Sequence, residues 1–186
     1  MKRFFDISIV LVSIPLLALP LIIISILIRL NSKGPAIHWS KRVGRDKSIF
    51  IMPKYRTMKL NTPQKATHLL DKPDQYLTAI GRFLRKSSLD ELPQLWSILI
   101  GDMSFVGPRP ALFNQYDLIE LRDEKGINTL RPGLTGWAQI NGRDDISIKE
   151  KVALDSEYMK KRSNLFDILI IIKTISNALR IKGISH

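Results

Sequence analysis

Residues 7–28, ISIVLVSIPLLALPLIIISILI, run for 22 positions without a charge. As a single helix the run would measure about 33 Å, enough to cross a hydrocarbon core of about 30 Å. Pro15 and Pro20 fall inside it. Each proline removes a backbone donor and crowds the preceding turn, which predicts a bend or break. Basic residues flank both ends, with Lys2 and Arg3 before and Arg29, Lys33, Lys41, Arg42 and Arg45 after. Positive charge favours the cytoplasmic side. A span would put one basic end outside, whereas a proline-broken re-entrant helix keeps both inside. A cleaved signal is the third reading, disfavoured because RLNSKGPA offers no A-x-A-like site.

Beyond NSKGP the apolar positions fall into shorter runs. AIHWSKRV and SIFIMPKYRTM, joined by GRDK, predict a β-hairpin. Residues 61–75 are polar and proline-punctuated, a surface loop or short helix. YLTAIGRFLRK predicts an amphipathic helix, and Ser88 and Glu91 have the spacing of a capping box ahead of LWSILI. GDMSFVGPRP and RPGLTGWAQINGRDD predict loops, while ALFNQYDLIELRDEKG and SIKEKVALDSEYMKKRS predict helices. In the tail, Leu165, Ile168, Leu169, Ile172, Ile175 and Leu179 recur at helical spacing. Asp167, Lys173, Thr174, Asn177 and Arg180 fill the polar positions. That helix either packs on the core or lies among lipid headgroups. The expected fold is mainly α with a short β-hairpin. A membrane-embedded segment, 1–30, precedes one cytoplasmic α/β catalytic domain, 31–186, with amphipathic interfacial helices.

Charge sharpens this picture. Across 186 residues, 29 Lys and Arg oppose 17 Asp and Glu, a formal net charge of +12. The excess implies an anionic partner, whether nucleic acid, an anionic membrane surface or a phosphate-rich substrate. No cysteine is present, which excludes disulfides, thiolate catalysis and Cys-based metal sites. His38, His68 and His186 are scattered, without metal-ligand spacing.

Against that background SSLDELPQL sets two carboxylates, Asp90 and Glu91, side by side. Such a pair is often a salt-bridged helix start. Here Arg82, Arg85 and Lys86 precede it, and Arg109 follows in GPRP. LRPGLTG and NGR add arginine to Gly-rich loops. Such loops offer backbone N–H groups and guanidinium forks to phosphate oxygens. One carboxylate can ligate Mg²⁺, shared with substrate phosphates. The other can attack phosphorus, giving an acyl phosphate.

KRFFD, the proline-broken apolar run, NSKGP, KRVGRDKSIFIMPKYRTM, GRFLRKSSLDELPQLWSILIGDMSFVGPRP and RPGLTGWAQINGR stand in that order along the chain. Together they resemble the bacterial sugar transferase family, the monotopic phosphoglycosyl transferases of surface-glycan assembly, in minimal catalytic form. The resemblance implies transfer of a sugar-1-phosphate from a UDP-sugar to polyprenyl (undecaprenyl) phosphate, with release of UMP. It implies a catalytic domain on the cytoplasmic face of the bacterial inner membrane. It makes Asp90 the nucleophile that holds a phosphosugar, and Glu91, with Asp90, the carboxylate that binds Mg²⁺. Arg109 would hold phosphate, with Lys54, Arg56, Arg82, Arg85, Arg131 and Arg143 as further phosphate partners. Pro132, Gly133, Thr135 and Trp137 of PGLTGW would face the nucleotide, and Pro20 would break the re-entrant helix. Two departures stand out: Leu19 replaces the usual Ser before that proline, and Ser97 the usual Asn.

Two other functions compete. One is a membrane-tethered basic module for anionic lipid or nucleic acid, although no groove-reading motif or aromatic stacking pattern is present. The other is a Mg²⁺-dependent membrane phosphatase. No residue names the sugar.

Overall fold

The computed structural model describes residues 2–63, 73–142 and 146–179. Its first element is helix α1 (Lys2–Asn31), long and apolar enough to cross a membrane by length and composition. The chain stays wound as helix through both Pro15 and Pro20. One residue past Pro20, the Leu21 carbonyl accepts from the Ser25 hydroxyl at 2.8 Å and from the Tyr55 hydroxyl at 2.6 Å. Leu11, Val12, Leu16, Leu19 and Ile22 are exposed, whereas Val10, Ile24 and Ile28 are buried in the protein core.

Both ends of α1 are bound to the rest of the chain by polar contacts. Near the start, the Arg3 guanidinium donates to the carbonyls of Ile98 and Leu99, and Lys2 pairs with Asp167. Asp6, only 1% exposed, accepts from the Ser104 hydroxyl and the Phe105 amide, each at 3.0 Å. At the other end, Arg56 donates to the Ser32 carbonyl and hydroxyl, both at 2.9 Å, and to the Lys33 carbonyl. Four carbonyls at a helix C-terminus lack intrahelical partners, and Arg56 supplies donors to this one. Gly34 turns the chain there with φ of +115°, and a Cβ on it would strike the Arg56 guanidinium.

Strands β1 (Ile37–Val43) and β2 (Ile49–Tyr55) form the predicted antiparallel hairpin, in register from Ile37 opposite Tyr55 to Val43 opposite Ile49. Helix α2 (Ala79–Ser87) begins at Thr78, whose hydroxyl accepts from the Gly81 amide at 3.0 Å. The capping box expected at Ser88 does not form. Ser88 instead sits in the left-handed region at φ 58° and closes α2, so it is a helix stop. Residues Leu89–Gln94 then wind as a 3-10 segment around Pro93 before α3 (Leu95–Ile100). A true capping box lies at Ser147 and Glu150.

The two loops predicted at GDMSFVGPRP and RPGLTGWAQ each contain a short strand, β3 (Ser104–Val106) and β4 (Gly133–Thr135), paired in parallel. Three-residue strands show no alternation for a sequence to reveal. Between them, α4 (Tyr116–Glu124) starts later than ALFNQ suggested. Helices α5 (Trp137–Ile140), α6 (Ile148–Lys161) and α7 (Asn164–Leu179) complete the order.

Helix α7 docks by the face that carries polar residues. Asp167 and Ile170 are buried, Asp167 accepts from the Tyr158 hydroxyl at 2.8 Å, and Thr174 meets Thr135 at 2.6 Å. Its apolar stripe, Leu165, Ile168, Leu169, Ile172 and Ile175, faces away from the protein.

Candidate active site

The acidic pair lies where β2 crosses the 3-10 segment. Because side chains alternate along a strand, His38, Ser40 and Arg42 of β1 share one face with Lys54, Met52 and Phe50 of β2, their cross-strand partners. That face brings Lys54 to both Asp90 and Glu91, and Arg42 to Glu91. Asp90 is 6% exposed, and the Glu91 side chain is 17% exposed. Glu91 Oε1 accepts from Arg109 Nη2 at 2.6 Å. Arg42, Met52, Glu91, Gln94, Arg109 and Pro110 line a small pocket.

The charges are strongly perturbed. Burial, then the neighbouring Glu91 carboxylate, push Asp90 up to about 6 against the pull of Lys54, Arg85 and Arg109. Burial would raise Glu91 too, but Arg109, by charge and hydrogen bond, holds it below the usual carboxylate range. Burial and Arg42 bring the Lys54 ammonium down to about 8, although Asp90 and Glu91 oppose this. Burial and Arg109 lower Arg42 to about 10. Asp90 and Glu91 thus differ in proton affinity although they are adjacent, the separation expected of two carboxylates with different tasks.

Arg109 rides on a loop with few degrees of freedom. Pro108 and Pro110 flank it, fixing φ on either side and donating no hydrogen bond. All three carbonyls of Pro108–Arg109–Pro110 are occupied. Pro108 accepts from the Gly133 amide at 2.9 Å, Arg109 from Arg122 Nη1 at 2.8 Å, and Pro110 from Arg42 Nη1 at 3.2 Å. The Gly107 amide donates to Thr135 at 2.9 Å. Gly107 and Gly133 approach so closely that a Cβ on Gly133 would strike the Gly107 nitrogen.

The other expected site residues divide. Arg85 joins the field of Asp90 while Nε donates to the Thr57 hydroxyl at 3.0 Å. Arg82 is exposed on α2. Two others have partners within the fold: Arg56 is buried against the end of α1, and Arg131 Nε donates to the Gly101 carbonyl at 3.0 Å. Arg143 lies outside the described residues. Pro132 is buried just ahead of β4, and Gly133 and Thr135 are buried within it. The Trp137 ring lies 5.0 Å from that of Phe166, with its Nε1 donating to Glu157 at 2.9 Å. PGLTGW therefore anchors the GPRP loop, and its polar side chains face α6 and α7.

Sequence reasoning missed Arg42 and Arg122 as site residues. Arg42 was legible from hairpin parity, since it shares a face with Lys54 once the register is fixed. Arg122 gave no such signal, because its partners lie 13 and 33 positions away.

Among the described residues no group of three or more His, Cys, Asp or Glu could hold a metal ion. Two adjacent carboxylates nevertheless suit Mg²⁺, a hard cation that commonly takes one or two carboxylates and completes its shell with substrate phosphates and water.

A family model described as bacterial sugar transferase matches residues 1–181. Undecaprenyl-phosphate galactose phosphotransferase of Salmonella typhimurium is 39% identical over 165 residues, covering 81% of this chain and 34% of its own length. UDP-N-acetylgalactosamine-undecaprenyl-phosphate N-acetylgalactosaminephosphotransferase of Aeromonas hydrophila is 35% identical over 184 residues, covering 96% of this chain and 43% of its own length. The uncharacterized sugar transferase EpsL of Bacillus subtilis is 38% identical over 192 residues, covering 100% of this chain and 91% of its own length. The chain spans less than half the length of the first two relatives and most of the third. The family match takes in α1, the acidic pair, the GPRP loop and α7 together, and the chain belongs to the bacterial sugar transferase family.

Proposed function

We propose that this protein is a phosphoglycosyl transferase. It moves a sugar-1-phosphate from a UDP-sugar to undecaprenyl phosphate, at the cytoplasmic face of the bacterial inner membrane. The observation that carries the reading is the buried Asp90 carboxylate, set in the field of Lys54, Arg85 and the Glu91–Arg109 pair. The names of the relatives support both the acceptor and the class of donor.

Asp90 attacks the β-phosphorus through one carboxylate oxygen. A bond from that oxygen to phosphorus forms, and the bond from phosphorus to the oxygen bridging the α- and β-phosphates breaks. UMP leaves with the electron pair, and the sugar phosphate stays on Asp90 as an acyl phosphate. An oxygen of the lipid phosphate then attacks the same phosphorus, releasing the lipid diphosphate sugar and restoring the Asp90 carboxylate. Lys54, Arg42 and Arg109 offset the charge that would keep an anionic nucleophile from a diphosphate. Mg²⁺, held by Glu91 and Asp90, would supply further charge neutralisation on the diphosphate. The lipid acceptor explains the apolar surface: α1 enters the bilayer and α7 lies on it. A re-entrant α1 turning at Pro20 would return both of its ends to one domain on one side.

UMP release from a panel of UDP-sugars tests the reading, using detergent-solubilised protein, polyprenyl phosphate and Mg²⁺. Wild type is expected to release UMP and, without acceptor, to gain the mass of a phosphosugar, while Asp90→Asn does neither. Release of UDP would mean transfer of sugar without its phosphate and would overturn the nucleophile. Free phosphate or free sugar phosphate in the presence of acceptor would favour a phosphatase.

A further inference from the structure

Helices α4 and α6 are joined by an ion pair that lies out of solvent. Arg122 is 5% exposed and Asp155 is 1% exposed. Asp155 Oδ2 accepts from Arg122 Nε at 3.0 Å and from Nη2 at 2.6 Å. The remaining arm of the fork, Nη1, donates to the Arg109 carbonyl at 2.8 Å. Taking both charges out of water is costly, and a well-packed apolar pair of similar volume commonly holds two helices as firmly. Apolar packing between α4 and α6 is already present through Leu118 and Val152. What an apolar pair would not provide is a donor for the Arg109 carbonyl. That carbonyl sits between two prolines, so the loop cannot be fixed there by a continuous backbone ladder.

We propose that Arg122, oriented by Asp155, is a positioning residue that fixes the Arg109 backbone and so aims the Arg109 guanidinium at Glu91. The connection runs from α6 through α4 to the loop and then to the acidic pair. Each link is a charge-assisted hydrogen bond or a covalent one. Asp155 occupies two arms of a planar fork, which leaves the third a single direction. A lysine at position 122 could still neutralise Asp155 but offers no rigid fork. The catalytic consequence rests on the reading of Asp90, Glu91 and Arg109 given above; the mechanical consequence does not.

Two measurements on the full chain in detergent separate these consequences. Hydrogen exchange of Arg122→Lys should be faster at the amides of residues 104–112 by about tenfold, with α4 and α6 unchanged. Unchanged exchange in that segment, or loosening spread equally through both helices, would overturn the positioning role whatever reaction is catalysed. In UMP release, Arg122→Lys should lower kcat about tenfold while KM for the UDP-sugar moves less than about twofold. In an Arg109→Ala background, the same substitution should change kcat less than about twofold, because its path to the acids is gone. Full effects in both backgrounds would show that Arg122 acts elsewhere. Asp155→Asn keeps the shape and removes the charge, and should reproduce both patterns if Arg122→Lys does not fold. Absence of UMP release from wild type would fall on the functional reading, and the exchange result would still decide the mechanical one.

Discussion

At the scale of residues, function and stability are opposed at Asp90. Its carboxyl is raised to about 6, chiefly by burial, so the native state binds the proton more tightly than the unfolded chain does. The ionised form needed for attack therefore costs stability fully above pH 6, and the cost fades as pH falls toward the ordinary carboxylate range. In EDTA at pH 7, Asp90→Asn should abolish turnover yet raise unfolding stability by about 1–3 kcal/mol. Thermal unfolding at pH 4 and pH 7 checks this, since the gain should shrink at the lower value. Lys54 sets the other limit. Its ammonium is lowered to about 8, so the positive charge is lost as pH rises through that value. The alkaline limb of kcat/KM should lie near there and move upward in Lys54→Arg, whose guanidinium stays charged. An unmoved limb would assign that titration to another group.

Among the elements, the joint between α1 and the hairpin shows how an arginine expected at phosphate serves elsewhere. Arg56 gives its guanidinium to Ser32 and Lys33 at the helix end, with Gly34 leaving the space. Arg56→Met should cost about 2–4 kcal/mol, because two carbonyls and a hydroxyl lose their donor at once. KM for the UDP-sugar should remain close to wild type in the protein that folds. A large rise in KM with unchanged thermal stability would restore Arg56 to the phosphate site. The short parallel pair of β3 and β4 has a similar supporting part, binding the GPRP loop to PGLTGW.

For the whole molecule, both ends of α1 are tied to one body. Lys2, Arg3 and Asp6 hold one end, and Asn31, Ser32 and Lys33 the other. A membrane-inserted α1 with both ends on one side requires the chain to enter the bilayer and return. The native sequence has no cysteine, so Phe4→Cys and Lys33→Cys can each be labelled without background. An impermeant maleimide should reach both from the cytoplasmic side of vesicles. Labelling from opposite sides would establish a span.

The sequence by itself determined the candidate membrane helix, the hairpin, most helices and the acidic pair. Each is written in neighbouring residues: an uncharged run of helix length, β-rich runs around GRDK, apolar residues at helical spacing, and two adjacent acids in a family-specific motif. Tertiary structure alone decided which of the motif's cations meet those acids, and added Arg42 to them. Lys54 and Arg42 reach them because the hairpin crosses the 3-10 segment, whereas Arg56 and Arg131 are used at helix ends. It also decided which way α7 turns. Buried Asp167 finds Lys2 of α1 and Tyr158 of α6, and this sends the apolar stripe outward. Local pattern shows how hydrophobic a residue is, but not which distant polar group will satisfy it, and that pairing sets burial and charge at the site.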